Sequence, residues 1–370
     1  MINRSRDLFI VITSVFCTLV IAFLVYNFFI NTGEIKKFNE VREILKDEYY
    51  QELNQDKLVD DALTGMVDSI GDKYTAYLTK QEWDKRKEDF AGEYTGIGIF
   101  FNYDSKYRVY VEEILAGSPA EKAGLKVGDI LEEYNGTKIT KNTDMRELFD
   151  SNTTNQSTLK IFRPSTKERF TKTITKEIIV EENATSKVID GTIGYIKLFQ
   201  FDDNIAADFK TNYEKLAKKQ INRLIIDVRD NPGGSLSQVV EICDFLLPKC
   251  TIVSVKGRNS PEEFYYSDEK SISIPITVLI NGNSASASEV LASALHDNNK
   301  ATLVGEKSFG KGLVQNSVEF DDGSAIYYTE ARYYTPKGVC IHGIGIQPDV
   351  KVSMSKDGKD TQLQAAIKGQ

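Results

Sequence analysis

The stretch from Pro275 to Gln315 constrains this chain more than any other. It opens on an apolar run, Ile276–Ile280, that reads as a buried strand. Asn281-Gly282-Asn283 is a turn signal, and Ser284-Ala285-Ser286-Ala287-Ser288-Glu289 follows it. Val290, Leu291, Ala294 and Leu295 then fall on one side of a helical pattern. A second short strand, Ala301–Gly305, leads into Ser308-Phe309-Gly310-Lys311-Gly312-Leu313-Val314-Gln315. Two features here can carry chemistry: a serine among very small residues at a strand-to-helix junction, and a lysine between two glycines.

The serine stands on the opening turn of a helix, where free backbone N–H groups and the positive end of the helix dipole lie. An oxyanion made by attack of its hydroxyl would find donors there, and alanine neighbours admit a peptide backbone. The lysine is a candidate base only when neutral. Burial in a tight apolar site disfavours the ammonium, and Gly310 and Gly312 let the backbone fold closely around Lys311. On a strand over 311–315, Lys311, Leu313 and Gln315 share a face, so the Gln315 amide oxygen can orient the lysine nitrogen. Each feature also has a plainer reading. Ser286 to Glu289 is S-x-x-E, an ordinary capping box, and Gly-Lys-Gly is a common surface turn. Position within the chain weighs between the two.

The 370 residues, 41% hydrophobic and 27% charged, suit a globular protein of two or three domains. Charges of both signs are interspersed and sum to −8 with no long basic run, which argues against nucleic acid as a partner. None of Cys17, Cys243, Cys250 and Cys340 forms a CxxC pair, and His296 and His342 are the only histidines. Zinc-ligand spacing is therefore absent, and no metal or cofactor is expected. Cys243 and Cys250 read as packing on one helical face, with no disulfide framework.

Leu8–Ile30 is an apolar run long enough to span a bilayer. Arg4 and Arg6 precede it and no small-residue cleavage site follows, which predicts an uncleaved signal anchor over 1–32. Lys36, Lys37 and Arg42 offset the positive-inside bias. From Gly33 to about Phe90 the pattern is helical, with Phe38, Val41, Leu45 and Tyr49, then Leu58, Ala62, Met66 and Ile70, at three- and four-residue spacing. The charged faces of this arm (33–90) are solvated, or the arm pairs with a second subunit as a homodimer.

Around Glu93 the texture changes to short strands and glycine turns. Gly117-Ser118-Pro119-Ala120, Ala123-Gly124-Leu125, Gly128-Asp129 and Asn135-Gly136 follow an alternating strand, Tyr107–Ile114. This run resembles a PDZ domain, here residues 91–175. The resemblance implies that Gly96, Ile97, Gly98 and Ile99 form a substrate-binding loop whose N–H groups hold the terminal carboxylate of a peptide. The peptide's last residues would add as a strand to an open edge, flanked by a helix around 143–149. The polar run Ser151–Thr158 departs from the tighter glycine-bearing turn usual in that family.

After Lys176 the chain is α/β. Gly194–Phe199 is a strand, Ala206–Lys219 a helix, and Arg223–Val228 a buried strand running into Arg229-Asp230-Asn231-Pro232-Gly233-Gly234. A helix over Leu236–Leu247 and strands over Thr251–Lys256 and Ser324–Thr335 follow, and the tail from Ser355 (355–370) reads as polar and loose. A glycine pair between strand and helix supplies anion-binding N–H groups.

In this order, the motifs around Asn231-Pro232-Gly233-Gly234, Ser284–Glu289 and Phe309–Gln315 resemble the carboxyl-terminal processing peptidases, or tail-specific proteases, over about 41–350. The resemblance implies an α/β fold: a crotonase-like β/α spiral protease core (176–354), an inserted PDZ-like domain and an N-terminal helical arm. It implies Ser286 as nucleophile, Lys311 as general base and Gln315 as its assistant. The oxyanion donors would be the N–H of Ala287 and one glycine of the 233–234 pair, with Gly233 favoured. Asn283 stands where glycine is common, and periodicity does not separate Ser286 from Ser284 or Ser288. The expected activity is that of a membrane-anchored serine endopeptidase, its catalytic part outside the cytoplasm, acting on proteins recognised by an exposed C-terminus.

Three rivals belong to other classes. A serine–histidine–aspartate hydrolase needs a histidine, but His296 would lie about 15 Å along the same helix from Ser286, and His342 reaches only if its loop folds back. An inactive membrane-anchored PDZ scaffold leaves Ser286, Lys311 and Gln315 without a purpose. A crotonase acting on acyl-CoA shares only the fold. The layout further suggests that a peptide tail bound to the PDZ-like domain shifts it and opens the cleft.

Overall fold

The computed structural model describes residues 4–30, 33–150, 154–355 and 357–369. The chain divides into two compact units, Met1–Tyr77 and Leu78–Gln370. In the first, α1 (Arg4–Ile30), α2 (Gly33–Glu48) and α3 (Gln55–Asp68) follow one another, before a short strand β1 (Ala76–Leu78) at the division. Asn54 starts α3 by accepting the Lys57 N–H at 3.0 Å, satisfying one of the orphan donors of a helix start. The apolar stripes of α2 and α3 carry Phe38, Val41 and Met66, which are exposed, as is Ile70 just past the end of α3.

The predicted membrane span is not shown by the described residues: among them, no helix is long and apolar enough to cross a membrane.

The helical arm does not continue as one body to residue 90. Helix α4 (Lys80–Ala91) falls in the second unit. It opens on a reciprocal capping box between Thr79 and Glu82 and stops at Gly92, whose φ of 67° ends it in the left-handed region. Next come β2 (Glu93–Gly96), β3 (Ile99–Tyr103), β4 (Val109–Ile114), α5 (Pro119–Lys122), β5 (Ile130–Tyr134), β6 (Thr137–Lys138), α6 (Met145–Asp150), β7 (Gln156–Arg163), β8 (Glu168–Thr175) and β9 (Glu177–Val180). Strands β3-β4-β5-β7-β8 make one sheet, in that order, with β6 on β5. It encloses a separate core of Val109, Val111, Leu131, Tyr134, Met145, Leu159 and Ile161. Strand β3 ends the order, so one of its edges is unpaired within the sheet. Helix α6 lies beside it, with Phe149 stacked on Phe101 at 5.7 Å between centroids. Of the polar run Ser151–Thr158, residues 151–153 lie outside the described residues, and Gln156 already begins β7.

The remaining elements are β10 (Ala184–Ile189), β11 (Ile193–Leu198), α7 (Ile205–Ala217), β12 (Arg223–Asp227), α8 (Leu236–Leu246), β13 (Thr251–Gly257), β14 (Glu263–Tyr266), β15 (Ile276–Ile280), α9 (Ala287–Asp297), β16 (Ala301–Gly305), β17 (Leu313–Glu319), β18 (Ala325–Tyr334), β19 (Val350–Lys351) and α10 (Thr361–Lys368). One sheet runs β10-β11-β12-β15-β16-β19, and every pairing after the first is parallel. A parallel sheet is covered on both faces. Here Leu224 and Ile226 point into a core with α7, α8 and α9, while Ile225, Leu279 and Val304 point into one with Ala365 and Ala366 of α10. Each such side chain contributes about 1.5–3 kcal/mol on burial. In the second sheet of this body, β18 lies between β13 and β17, and β14 continues from β13.

Two expectations are corrected. Cys250 does not share a helical face with Cys243: α8 ends at Leu246, and the Cys250 N–H donates to Ser267 Oγ at 3.0 Å beyond it. Pro248 in the intervening segment explains the break. The tail is not loose either. Its helix buries Ala366 and Gln362, and its N-cap Asp360 grips Arg229 with both carboxylate oxygens, at 2.7 and 2.8 Å. Arg229 in turn holds Asp227 and Gln362. Apolar residues spaced for a helix were few over 355–370, and beside the packing of Ala365 and Ala366 the docking uses a partly buried ion pair that no local pattern announces.

That ion pair makes the tail sensitive to acid. Burial pushes the Asp360 carboxyl up, but the Arg229 guanidinium and the Leu363 N–H outweigh it and hold it below its usual range. A depressed carboxyl contributes stability above the unfolded value, about 3.9, and loses it as pH falls through the folded value. Amide exchange over 361–368 is expected to accelerate below about pH 4 before the rest of the second unit opens, and Asp360→Asn should show the same at neutral pH. Equal protection of α10 at pH 7 and pH 3 would refute this.

Candidate active site

Ser286 is the N-cap of α9, and its backbone is unusual: φ 55°, ψ −116°. A non-glycine residue held there costs on the order of 1–3 kcal/mol and persists only when its surroundings fix it. The fixing contacts are present. The Ser286 N–H donates to Glu289 Oε2 at 3.0 Å, and its carbonyl accepts the N–H of Glu289 at 2.8 Å and of Val290 at 3.0 Å. The bond from the Ser286 N–H to Glu289 is the glutamate half of the S-x-x-E capping box. Ser284 Oγ donates to the Val228 carbonyl at 2.8 Å and Ser288 Oγ to the Asn231 carbonyl at 3.0 Å, both fully buried. Their hydroxyls hold backbone together, while Ser286 faces a cavity.

That cavity, of about 720 Å³, is lined by Gly233, Gly234, Ser286, Ala287, Lys311 and Gln315. Segments more than fifty residues apart in the chain thus converge. Neither histidine lines it. His296 sits at the far end of α9, 3.1 Å from Asp349, and His342 is exposed, its backbone packed against Gly312. Lys311 does not lie within β17, which begins at Leu313, and a bulge between Val314 and Gln315 breaks the expected alternation. Gln315 lines the cavity beside that bulge, and its buried Nε2 has no hydrogen-bond partner among the described residues.

The glycine pair is shaped by contact. A Cβ on Gly233 would sit 2.8 Å from Ser286 Cβ and 2.9 Å from the Ala287 nitrogen; one on Gly234 would sit 2.1 Å from the Phe201 carbonyl oxygen. The two N–H groups are not equivalent. That of Gly233 donates to Asn231 Oδ1 at 2.8 Å, whereas no protein acceptor takes that of Gly234 or of Ala287 among the described residues. Asn231, fully buried, also donates through Nδ2 to the Leu198 carbonyl at 3.0 Å, and its own carbonyl accepts the Ala285 N–H at 3.1 Å. Asn283 has a use that glycine would lack: its Nδ2 donates to Asp230 Oδ1 at 2.8 Å, beside Asn281 Nδ2 at 2.9 Å. These bonds fasten the serine loop to the glycine loop.

Two residues tie the serine loop to the lysine loop. Glu289, fully buried, accepts Ser286 N–H and Lys311 N–H on Oε2 (3.0 and 2.8 Å), and Gly310 N–H and Ser308 Oγ–H on Oε1 (2.8 and 2.5 Å). A buried carboxylate is tolerable only when so satisfied. Tyr333, also buried, places its hydroxyl 2.6 Å from the Lys311 carbonyl and 3.1 Å from that of Ser286. Burial first, then the Glu289 charge, raises its pKa well above the usual phenol value, so it remains a donor. The sequence marked Glu289 only as a cap; Tyr333 carried no signal beyond strand alternation.

A second cavity, about 810 Å³, is lined by Gly96, Ile97, Gly98 and Ile99 with Tyr94, Phe101, Phe149 and residues of α4. Gly98 has φ 76°, and a Cβ there would sit 2.4 Å from Ser118 Cβ. The predicted loop residues therefore line one cavity, between the end of β2 and the start of β3. Among the described residues no group of His, Cys, Asp and Glu could hold a metal ion.

The sequence model of peptidase family S41 matches residues 192–352, that of the PDZ domain residues 110–163, and that of the activating protease CtpB N-terminal domain residues 27–82. A probable CtpA-like serine protease of Staphylococcus aureus (strain MRSA252) is 33% identical over 372 residues, which span 96% of this chain and 74% of that protein. The carboxy-terminal processing protease CtpA of Bacillus subtilis (strain 168) is 32% identical over 342 residues, 90% of this chain and 73% of that one. Among solved structures, the photosystem II D1 C-terminal processing protease superposes with a TM-score of 0.52 at 30% identity, covering 87% of this chain and 88% of its own.

Proposed function

This chain belongs to peptidase family S41 and is a serine-type peptidase with a PDZ domain, and we propose that it cleaves proteins recognised by their C-terminal tail with Ser286 as nucleophile and Lys311 as general base. One observation carries the reading: Ser286, Lys311, Gln315, Ala287 and the glycine pair line one cavity that has no histidine. Neutral Lys311 takes the Ser286 proton as Oγ attacks the peptide carbonyl. The oxyanion rests on the N–H of Ala287 and of Gly234, since Gly233 is already bonded to Asn231. Lys311 then protonates the leaving amine, and water, deprotonated in turn by Lys311, frees the acyl-enzyme.

In the same reading, Gly96–Ile99 receive the substrate's terminal carboxylate while its last residues pair with β3. The alternation of β11, α7, β12, α8, β15, α9 and β16 is taken as the crotonase-like spiral. Mass spectrometry of an unstructured protein with an apolar C-terminus is the test: the wild type yields fragments and Ser286→Ala leaves the mass unchanged. An unchanged mass with both would overturn the reading.

The run Leu8–Ile30 supports a membrane anchor that leaves the second unit outside the cytoplasm, and the exposed stripe of α2 and α3 supports a homodimer through the arm. Deletion of 1–32 is expected to move the protein from the membrane to the soluble fraction and leave a dimer by light scattering. Retention on the membrane, or a monomer, would refute the respective part.

A further inference from the structure

We infer that a row of cations beside the catalytic cavity, Lys256, Arg258 and Arg332, selects substrates with an acidic side chain two to three residues from the scissile bond, on one side of it only. The inference deepens the peptidase reading and rests on it. The three cations line a cavity of about 400 Å³ in the β13–β18–β17 sheet, and Leu313 lines both this cavity and the catalytic one. The register aligns two of them with Leu313: Leu313 is opposite Arg332, and Arg332 is opposite Lys256 on its other side. Leu313, Arg332 and Lys256 therefore make one row, with Arg258 two residues beyond Lys256 in the chain. Neighbouring strands are about 4.8 Å apart, so Lys256 lies about 10 Å from Leu313. An extended peptide covers that in about three residues.

Like charges placed directly opposite on a sheet destabilise it, and Lys256 against Arg332 is such a pair. Among the described residues, none of the three cations makes an ion pair. Glu330 is the one carboxylate in the lining, and it accepts from Asn316 Nδ2 at 3.1 Å. In a chain of net charge −8, a wall with three cations against one carboxylate, sharing Leu313 with the catalytic cavity, fits an acidic ligand. The rest of the catalytic lining is net acidic, with Asp89, Glu181 and Asp203 against Arg86. An acidic residue is therefore favoured on the Leu313 side and disfavoured on the other.

The test measures kcat/KM for a peptide series carrying Asp, Ala or Lys at successive positions on either side of one scissile bond. An Asp:Ala preference of about fivefold is expected at a position two or three residues away on one side, since an exposed ion pair is worth up to about 1 kcal/mol. The preference should shrink at high salt. Arg332→Glu and Lys256→Glu should bring the ratio to one or invert it toward Lys, with melting temperature confirming the fold. An equal preference for Asp and Ala at every position, or a preference that survives both reversals, would overturn the inference. Failure of the wild type to cleave any peptide would instead overturn the peptidase reading itself.

Discussion

Lys311→Ala is expected to lower kcat/KM by about 10⁴–10⁶-fold, and Ser286→Ala by as much, with the double substitution no worse than either alone, because a nucleophile and its base act as a unit. The informative companion is Lys311→Arg. Guanidinium retains the positive charge but does not release its proton in proteins, so it cannot accept one from Ser286. If Lys311 serves only as a charge, the arginine variant keeps activity; if it serves as a base, the variant is as inactive as alanine. His342→Ala is the control, since His342 is exposed and absent from the cavity lining. Activity in Lys311→Arg near the wild-type level, or loss in His342→Ala, would remove lysine from the mechanism. The assay is hydrolysis of an unstructured protein followed by mass spectrometry.

Glu289→Gln carries the second large effect, although it preserves volume and shape. Each oxygen of the Glu289 carboxylate accepts two donors, Ser286 and Lys311 N–H on one, Gly310 N–H and the Ser308 hydroxyl on the other. A glutamine offers one oxygen and one NH₂ group. Turned toward the Ser286 and Lys311 N–H groups, its NH₂ faces two donors and satisfies neither; turned the other way it faces the Gly310 N–H and satisfies only the Ser308 hydroxyl, which can accept. One or two hydrogen bonds to a charged group are lost, each worth about 1.5–3 kcal/mol, and those that stay lose the charge. Since the strained backbone of Ser286 depends on one of them, the loss falls on the alignment of nucleophile and base. A fall in kcat of about 10²–10³-fold is expected, together with a lower melting temperature. KM should change little, because Glu289 does not line the cavity. Glu289→Gln with wild-type kcat would show that the carboxylate is no more than a helix cap.

The candidate site was legible because its chemistry is written in short runs. Ser286, Ala287 and Lys311 each sit among residues small enough to be noticed, at places where strand gives way to helix or turn. The PDZ loop was legible for the same reason: Gly98 needs a positive φ that glycine supplies without cost. Less was readable where a long-range contact reassigns a local group. Gly233 and Gly234 are equivalent in a sequence, and only the side chain of Asn231, which folds back onto one of them, separates the two. Likewise the three serines of the run are alike until the carbonyls of Val228 and Asn231, from another loop, take the hydroxyls of Ser284 and Ser288.

The sequence by itself determined the order of the parts, the apolar strands of the parallel sheet, and the residue types at the junctions that line the candidate site. Those follow from periodicity and side-chain size, which act over a few neighbours. The tertiary structure alone decided that Glu289 and Tyr333 bind the serine and lysine loops together, that α10 docks through Asp360 on Arg229, and that Arg332 and Lys256 align beside Leu313. Each depends on strand register and on the meeting of polar groups from distant segments, whose burial is favourable only once the whole fold supplies the partner.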